Sequence, residues 1–181
     1  MLTKKCLMVS AMLWLATLSQ LAQAQEIVLI TEFMAANRTG LKDQDGQASD
    51  WIEIFNGGTN SLNLEGWHLT DDANDLTKWS FPATNLNPNS YLIVFASGSD
   101  RRIIGQPLHT SFQLSAGGEY LALVKPDGTN VASAFAPVFP PQFNDISFGM
   151  STVTDPALLI TTNAPVRVYV PTNDALVTSW V

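Results

Sequence analysis

Asp50-Trp51-Ile52-Glu53-Ile54-Phe55-Asn56-Gly57-Gly58 decides how the rest of the chain is read. Side chains of a strand point alternately to opposite faces, so Ile52 and Ile54 share one face and Trp51, Glu53 and Phe55 the other. The pattern describes a strand covered partly on both sides. Asn56, Gly57 and Gly58 accept positive φ, so the chain is expected to turn there. Leu64-Glu65-Gly66-Trp67-His68-Leu69-Thr70-Asp71-Asp72 follows, a short strand launched after Gly66 and stopped by two carboxylates. Trp51 and Trp67 are large apolar bodies on these two elements, and burying each is worth roughly 2–3 kcal/mol on an area basis. The expectation is a hairpin-like unit that nucleates the core.

Outward from this unit, the chain reads as short strands separated by turn residues. Residues 27–34 are rich in β-branched side chains and form an opening strand. A long polar loop occupies 37–50, and loops of that length in compact domains are often functional. Short strands are expected near 62–64, 67–70 and 78–81, the last ended by Pro82, which cannot donate to a ladder. After the turn at Asn87-Pro88-Asn89, the apolar run 91–95 reads as a central strand. A loop at 97–107 precedes a strand at 109–114, then 119–125 and 131–135 pair across the turn Pro126-Asp127-Gly128-Thr129. Pro137-Val138-Phe139-Pro140-Pro141 reads as an extended bridge to 146–148. No helical period appears beyond the N-terminal segment, and turns every 8–12 residues or so point to an all-β sandwich.

Taken in order, Asp-Trp-Ile-Glu-Ile-Phe-Asn at 50–56, Leu-Glu-Gly-Trp-His-Leu-Thr-Asp-Asp at 64–72 and Lys78-Trp79-Ser80-Phe81-Pro82 resemble the bacterial form of the lamin tail domain. The resemblance continues through Phe112-Gln113-Leu114-Ser115, Gly118-Glu119-Tyr120-Leu121-Ala122-Leu123 and Asp145-Ile146-Ser147-Phe148-Gly149, and so covers about 27–150. It implies an immunoglobulin-like β-sandwich that serves as a binding or tethering module, with no shared catalytic residues.

Residues 1–24 read as a signal peptide. Lys4 and Lys5 precede a largely apolar run from Cys6 to Leu21, and Ala22-Gln23-Ala24 supplies the small-x-small cleavage pattern. Ser10, Thr17, Ser19 and Gln20 interrupt the run, which falls short of the ~20 apolar residues of a spanning helix. The expected location is therefore secreted, extracellular or periplasmic, with no transmembrane span after cleavage. Cleavage would remove the single cysteine, and with it any disulfide or thiol chemistry. It would also leave seven basic residues against 16 acidic ones, a net charge of −9. An acidic surface argues against nucleic acid as a partner, since such binding relies on Lys and Arg displacing counterions from phosphate. The sandwich is assigned to 25–150. Residues 151–181, with a strand-like stretch at 166–170 between Pro165 and Pro171, are expected to form a linker and the start of a following domain, the chain being a truncated piece. The alternative is a tail that packs back as an edge strand.

Two acidic clusters raise the question of a metal. Asp43, Asp45 and Asp50, with Gly46 for a sharp turn, hold the oxygen donors of a calcium loop, and Asp71, Asp72 and Asp75 would complete a site if the two loops meet. The pattern departs from an EF-hand, having no glutamate at its twelfth position. The alternative is a solvated loop in which Asp50 pins the backbone before the strand. Calcium is the only cofactor the sequence suggests. His68 and His109 sit in expected strands, where histidine is more often a surface or half-buried residue than a base, and no nucleophile elbow or zinc motif occurs. Glu53 and Glu119 sit in or beside strands without sign of a cleft between paired acids. Trp51, Trp67 and Trp79 are placed in strands, which favours core packing over a sugar platform. Asn37-Arg38-Thr39 matches the N-glycosylation acceptor pattern.

These residues point to a secreted, non-catalytic interaction or tethering module at the cell surface, binding an unknown protein or cell-surface component through loops 37–50 and 97–107 and through sheet edges. Two other readings stay open: an accessory module of a larger secreted hydrolase whose catalytic domain follows Val181, and a calcium-dependent adhesion module.

Overall fold

The structure, a computed structural model, describes residues 27–150. The expected signal peptide (1–24) and the expected strand at 166–170 lie outside the described residues. Eleven strands and no helix are found among the described residues: β1 (Val28–Met34), β2 (Asp50–Asn56), β3 (Leu62–Asn63), β4 (His68–Thr70), β5 (Trp79–Ser80), β6 (Asn85–Leu86), β7 (Ser90–Ala96), β8 (Leu108–His109), β9 (Leu121–Val124), β10 (Val131–Phe135) and β11 (Phe148–Gly149). They form a five-stranded sheet in the order β11-β1-β2-β7-β8, a four-stranded sheet β10-β9-β4-β5 and a small β3-β6 pair. All pairs are antiparallel except β7 with β8. The two larger sheets face each other as a sandwich of the immunoglobulin-like kind.

The alternation read from 50–56 holds. Ile52 and Ile54 point inward and are fully buried with Ile30, Phe33 and Val94 of the same sheet. Leu69, Trp79, Leu121 and Leu123 meet them from the other sheet. The hairpin-like unit does not form. Trp67 lies beside β4 in the second layer, whereas Trp51 points away from the core and packs with Met34, Phe95 and Ile93 on the outer face of the first. The two indoles are therefore on opposite sides of the five-stranded sheet. The turn after β2 also has a different cause from the expected one, because neither Gly57 nor Gly58 adopts positive φ. The buried Asn56 makes it, accepting the Gly58 N–H at 2.9 Å and donating to the carbonyls of Asn60 and Leu86, each at 2.9 Å.

Other departures concern short elements. The strand expected at 109–114 shrinks to β8, followed by a single bridge between Ser97 and Gln113. β6 was hidden by the Asn-Pro-Asn turn beside it. The proline-rich bridge carries no strand, but it delivers Phe139 into the core against Phe33, with ring centroids 4.5 Å apart. Gly118 permits this: its φ is 96°, and a Cβ there would strike the Phe139 carbonyl. Phe135 and Phe148 complete the cluster around Phe33, at 5.0 and 5.7 Å.

Ile54→Ala is expected to cost about 2–5 kcal/mol in denaturant unfolding, since it leaves a cavity between close-packed sheets. Ile104→Ala, at a side chain 67% exposed, should stay within about 0.5 kcal/mol. Equal costs for the two would contradict this core.

Candidate functional site

Three segments leave the sandwich at one end. β1 stops at Met34 and β2 starts at Asp50, while β7 stops at Ala96 directly across from Asp50. The 35–49 and 97–107 loops therefore rise side by side, and the chain enters β11 beside them.

Side chains, rather than ladders, hold these segments. Asp43 organises the first loop: Oδ1 accepts the N–H of Asp45 and of Gln47, each at 2.9 Å, and Oδ2 accepts the Ser49 hydroxyl at 2.7 Å. Burial alone would raise this carboxyl, but the bonds from Ser49, Gln47 and Asp45 together outweigh it and hold the pKa below its ordinary value. Buried Asn37 donates to the carbonyls of Leu41 and Ser49 at 2.6 and 2.8 Å. Asp145 ties the third segment to the first, accepting the N–H groups of Arg38 and Thr39 at 2.7 and 2.8 Å and the Thr39 hydroxyl at 2.8 Å. The backbone bonds from Thr39 and Arg38 bring its pKa from 3.8 to about 2. The first two loops are joined by the Arg101–Asp45 ion pair and by His109. The ring of His109 sits 2.8 Å from Ser97 Oγ through Nδ1, and its Nε2 contacts the Gln44 side-chain amide at 2.8 Å to Nε2 and 3.0 Å to Oε1.

These segments enclose a pocket of about 650 Å³, within the ~300–1,000 Å³ typical of ligand sites. The space exists because Ala35, Ala36, Ala48, Ala96 and Ala116 line it where larger side chains would fill it. Asp50, Ser97, Arg101, His109 and Gln113 supply polar walls. Asp50 shares the parity of Ile52 and Ile54, so the inward row of β2 ends at the pocket in a half-buried carboxylate. One oxygen accepts the Asn37 N–H at 3.0 Å, and among the described residues nothing hydrogen-bonds the other. Burial raises its pKa, opposed by the Asn37 bond and the field of Arg38.

The remaining carboxylates singled out in the sequence are dispersed. Asp71 pairs with Lys78 at 2.6 Å, Asp72 accepts the Asn74 N–H at 2.8 Å and Asp75 that of Thr77 at 3.3 Å. The two acidic loops share Glu119 as a neighbour: burial raises its pKa first, and the charges of Asp71 and Asp50 raise it further. Glu119 itself accepts the Ser115 N–H at 2.7 Å, and Glu53 the Thr31 hydroxyl at 2.6 Å. Among the described residues, no group of three or more Asp, Glu, His or Cys is arranged to hold a metal ion.

His68 behaves as an ordinary strand histidine, half-buried with Nδ1 2.8 Å from Ser80 Oγ. His109 does not; it is 1% exposed and forms a wall of the pocket. Its contact with Ser97 has the reach of a nucleophile–base pair, yet the group on its other nitrogen is an amide. A carboxylate there would stabilise an imidazolium. Burial, then the charge of Arg101, instead pushes its pKa below the ordinary value, which keeps the ring neutral at pH 7. Trp51, Trp67 and Trp79 are all buried, so none offers a face to a sugar. Asn37 is closed to glycosylation in the folded protein by its burial and its two bonds to carbonyls.

Sequence reasoning did not single out Asp145 or the wall role of His109. The only local signal for Asp145 was the Asn-Asp dipeptide at 144–145, a turn pattern consistent with its φ of 58°. A family model described as Lamin Tail Domain matches residues 22–136. No curated protein matches the chain.

Because the folded pKa of Asp145 is depressed, its contribution to stability is complete above its ordinary value of 3.8 and is lost as pH falls toward about 2. Asp145→Asn should lower the melting temperature by a few degrees at pH 5, with the gap to wild type closing near pH 2. A gap that persists unchanged across that range would show that the charge is not what matters. Calcium at millimolar concentration is expected to leave the melting temperature unchanged, because Asp43 and Asp45 already have partners. A rise of several degrees would reveal a metal site.

Proposed function

The chain belongs to the lamin tail domain family, and from that membership we propose that it is a non-catalytic interaction module, exported through residues 1–24, that tethers a partner at the cell surface. The observation that carries this reading is a crown of exposed apolar side chains over a locked base. Leu41, Ile103, Ile104, Phe143 and Ile146 are all exposed on the segments of one end. Asp43, Asp145 and His109 fix the backbone beneath them. Exposed apolar groups rimmed by polar residues mark interaction sites on soluble domains. Pre-organised loops lose little conformational entropy when a partner docks. The ring of His109, neutral and paired with amide and hydroxyl groups, fits a structural role better than acid–base work.

A photo-crosslinking amino acid placed in the full chain at position 104, or at Thr59 on the turn at the opposite end, tests this. With the envelope fraction of the cells that make the protein, position 104 is expected to give discrete crosslinked products and position 59 none. Equal labelling from both ends, or labelling from position 59 alone, would reject the loop end as the binding surface.

A further inference from the structure

The pocket allows the partner's chemistry to be narrowed, on the premise that the loop end is the binding surface. We propose that the pocket receives a primary ammonium on an alkyl stem, the side chain of a lysine on a basic partner protein, with the ammonium on Asp50 and the stem along the pocket's alanines.

Four observations carry this. First, small side chains line part of an otherwise polar pocket and leave it open. Ala35, Ala36, Ala48, Ala96 and Ala116 present methyl groups that suit an unbranched methylene chain, as lysine stems lie along apolar surface while their heads stay polar. Second, half-buried Asp50 keeps one oxygen that nothing among the described residues hydrogen-bonds. It occupies an inward-facing position opposite Ala96, with its other oxygen taken by the Asn37 N–H. Burial works against its ionised form, and an incoming cation would relieve that. Third, none of the nearby cations hydrogen-bonds Asp50, although Arg38 and Arg101 both line the pocket. Arg101 is paired with Asp45, and Lys78 with Asp71. Arg38 is exposed and reaches Asp50 through its field without a hydrogen bond. Fourth, the charge balance suits a basic partner: without residues 1–24 the chain carries a net −9, and Asp50 and Glu119 feel each other's charge.

The geometry also selects between the two long basic side chains. A guanidinium recognises a carboxylate best as a two-pronged fork using both oxygens. On Asp50 the Asn37 N–H already lies on one oxygen and crowds the second prong of a fork, so the freer oxygen is better matched to the point charge of an ammonium. On the loops that supply the pocket, exposed Ile103, Ile104 and Leu41 would contact the partner's surface.

The test is an NMR titration of the isotope-labelled full chain with Nα-acetyl-lysine amide, Nα-acetyl-arginine amide and the uncharged Nα-acetyl-norleucine amide. The lysine probe is expected to give saturable shifts at the amides of Asp50, Ser97 and Gln113. The arginine probe should bind more weakly, and the norleucine probe should leave those amides unmoved. Asp50→Asn, whose amide oxygen can still accept from Asn37, should weaken the lysine probe at least about tenfold, the loss of a charged partner. Ala116→Leu, which fills the pocket and keeps the carboxylate, should do the same. Shifts scattered over every acidic loop, equal binding of norleucine, arginine binding as tight as lysine, or full binding by either variant would overturn the assignment. Such a result together with crosslinks at position 104 would remove the ammonium and leave the interaction surface standing, whereas loss of those crosslinks would remove the surface itself.

Discussion

β2 is hydrogen-bonded on both flanks, and this double pairing sets the direction of nearly every side chain that matters. Against β7 it runs in unbroken register from Asp50↔Ala96 to Asn56↔Ser90. A slip of one residue would turn Ile52 and Ile54 out to solvent and bring Trp51, Glu53 and Phe55 into the core. The slip is blocked from two sides. The inner face is filled by apolar groups of the opposite sheet, and the outer face holds Trp51 against Met34 and Phe95. Against β1 the register shifts once, between Ile30 and Glu32, which lets Ile30 and Phe33 both face inward although they are three residues apart.

Where apolar alternation was strong, as in β1, β2 and β7, reading the residues alone located the strands to within a residue or so. It failed where contacts between distant segments decide the outcome. Trp51 and Trp67 looked like partners because they are close in sequence and alike in size, but parity along the strand sends Trp51 to the outer face. β8 is two residues long and pairs in parallel with β7, a geometry no local pattern announces. The candidate site was half legible. The long polar loop and its aspartates were evident, but an aspartate that binds metal and one that caps its own backbone have the same sequence signature. Asp43 holds its own loop through Asp45, Gln47 and Ser49, contacts that only the folded structure displays. The hold of Asp145 on Arg38 and Thr39 spans more than a hundred residues, and no periodicity reports on it.

The loop end is a second kind of ordered structure, built from side chain to backbone. Buried polar groups are expensive unless their hydrogen bonds are met, and here they are met within the loops. Asn37 satisfies two carbonyls, Asp43 two N–H groups, and His109 spans from Ser97 to Gln44. A set of this kind fixes loops more tightly than apolar contact alone, because each bond has a preferred direction. It explains how exposed groups such as Ile103 and Ile104 can project from a long connection that still has a defined shape beneath them.

The inward row of β2 shows where that second layer meets the first. Ile54 faces the register position of Leu92 and Ile52 that of Val94, and the next step of the same row is Asp50 with Ala96. A leucine at 50 would continue that apolar row by one more step. The chain instead places a carboxylate and a methyl group there, and four further alanines around the space they leave. That carboxylate accepts a hydrogen bond from the Asn37 N–H. Departures from local packing rules of this kind concentrate where a surface is used, since stability alone would remove them. The alanines and the carboxylate have opposite preferences for their neighbours, and an alkyl stem ending in a cation satisfies both at once.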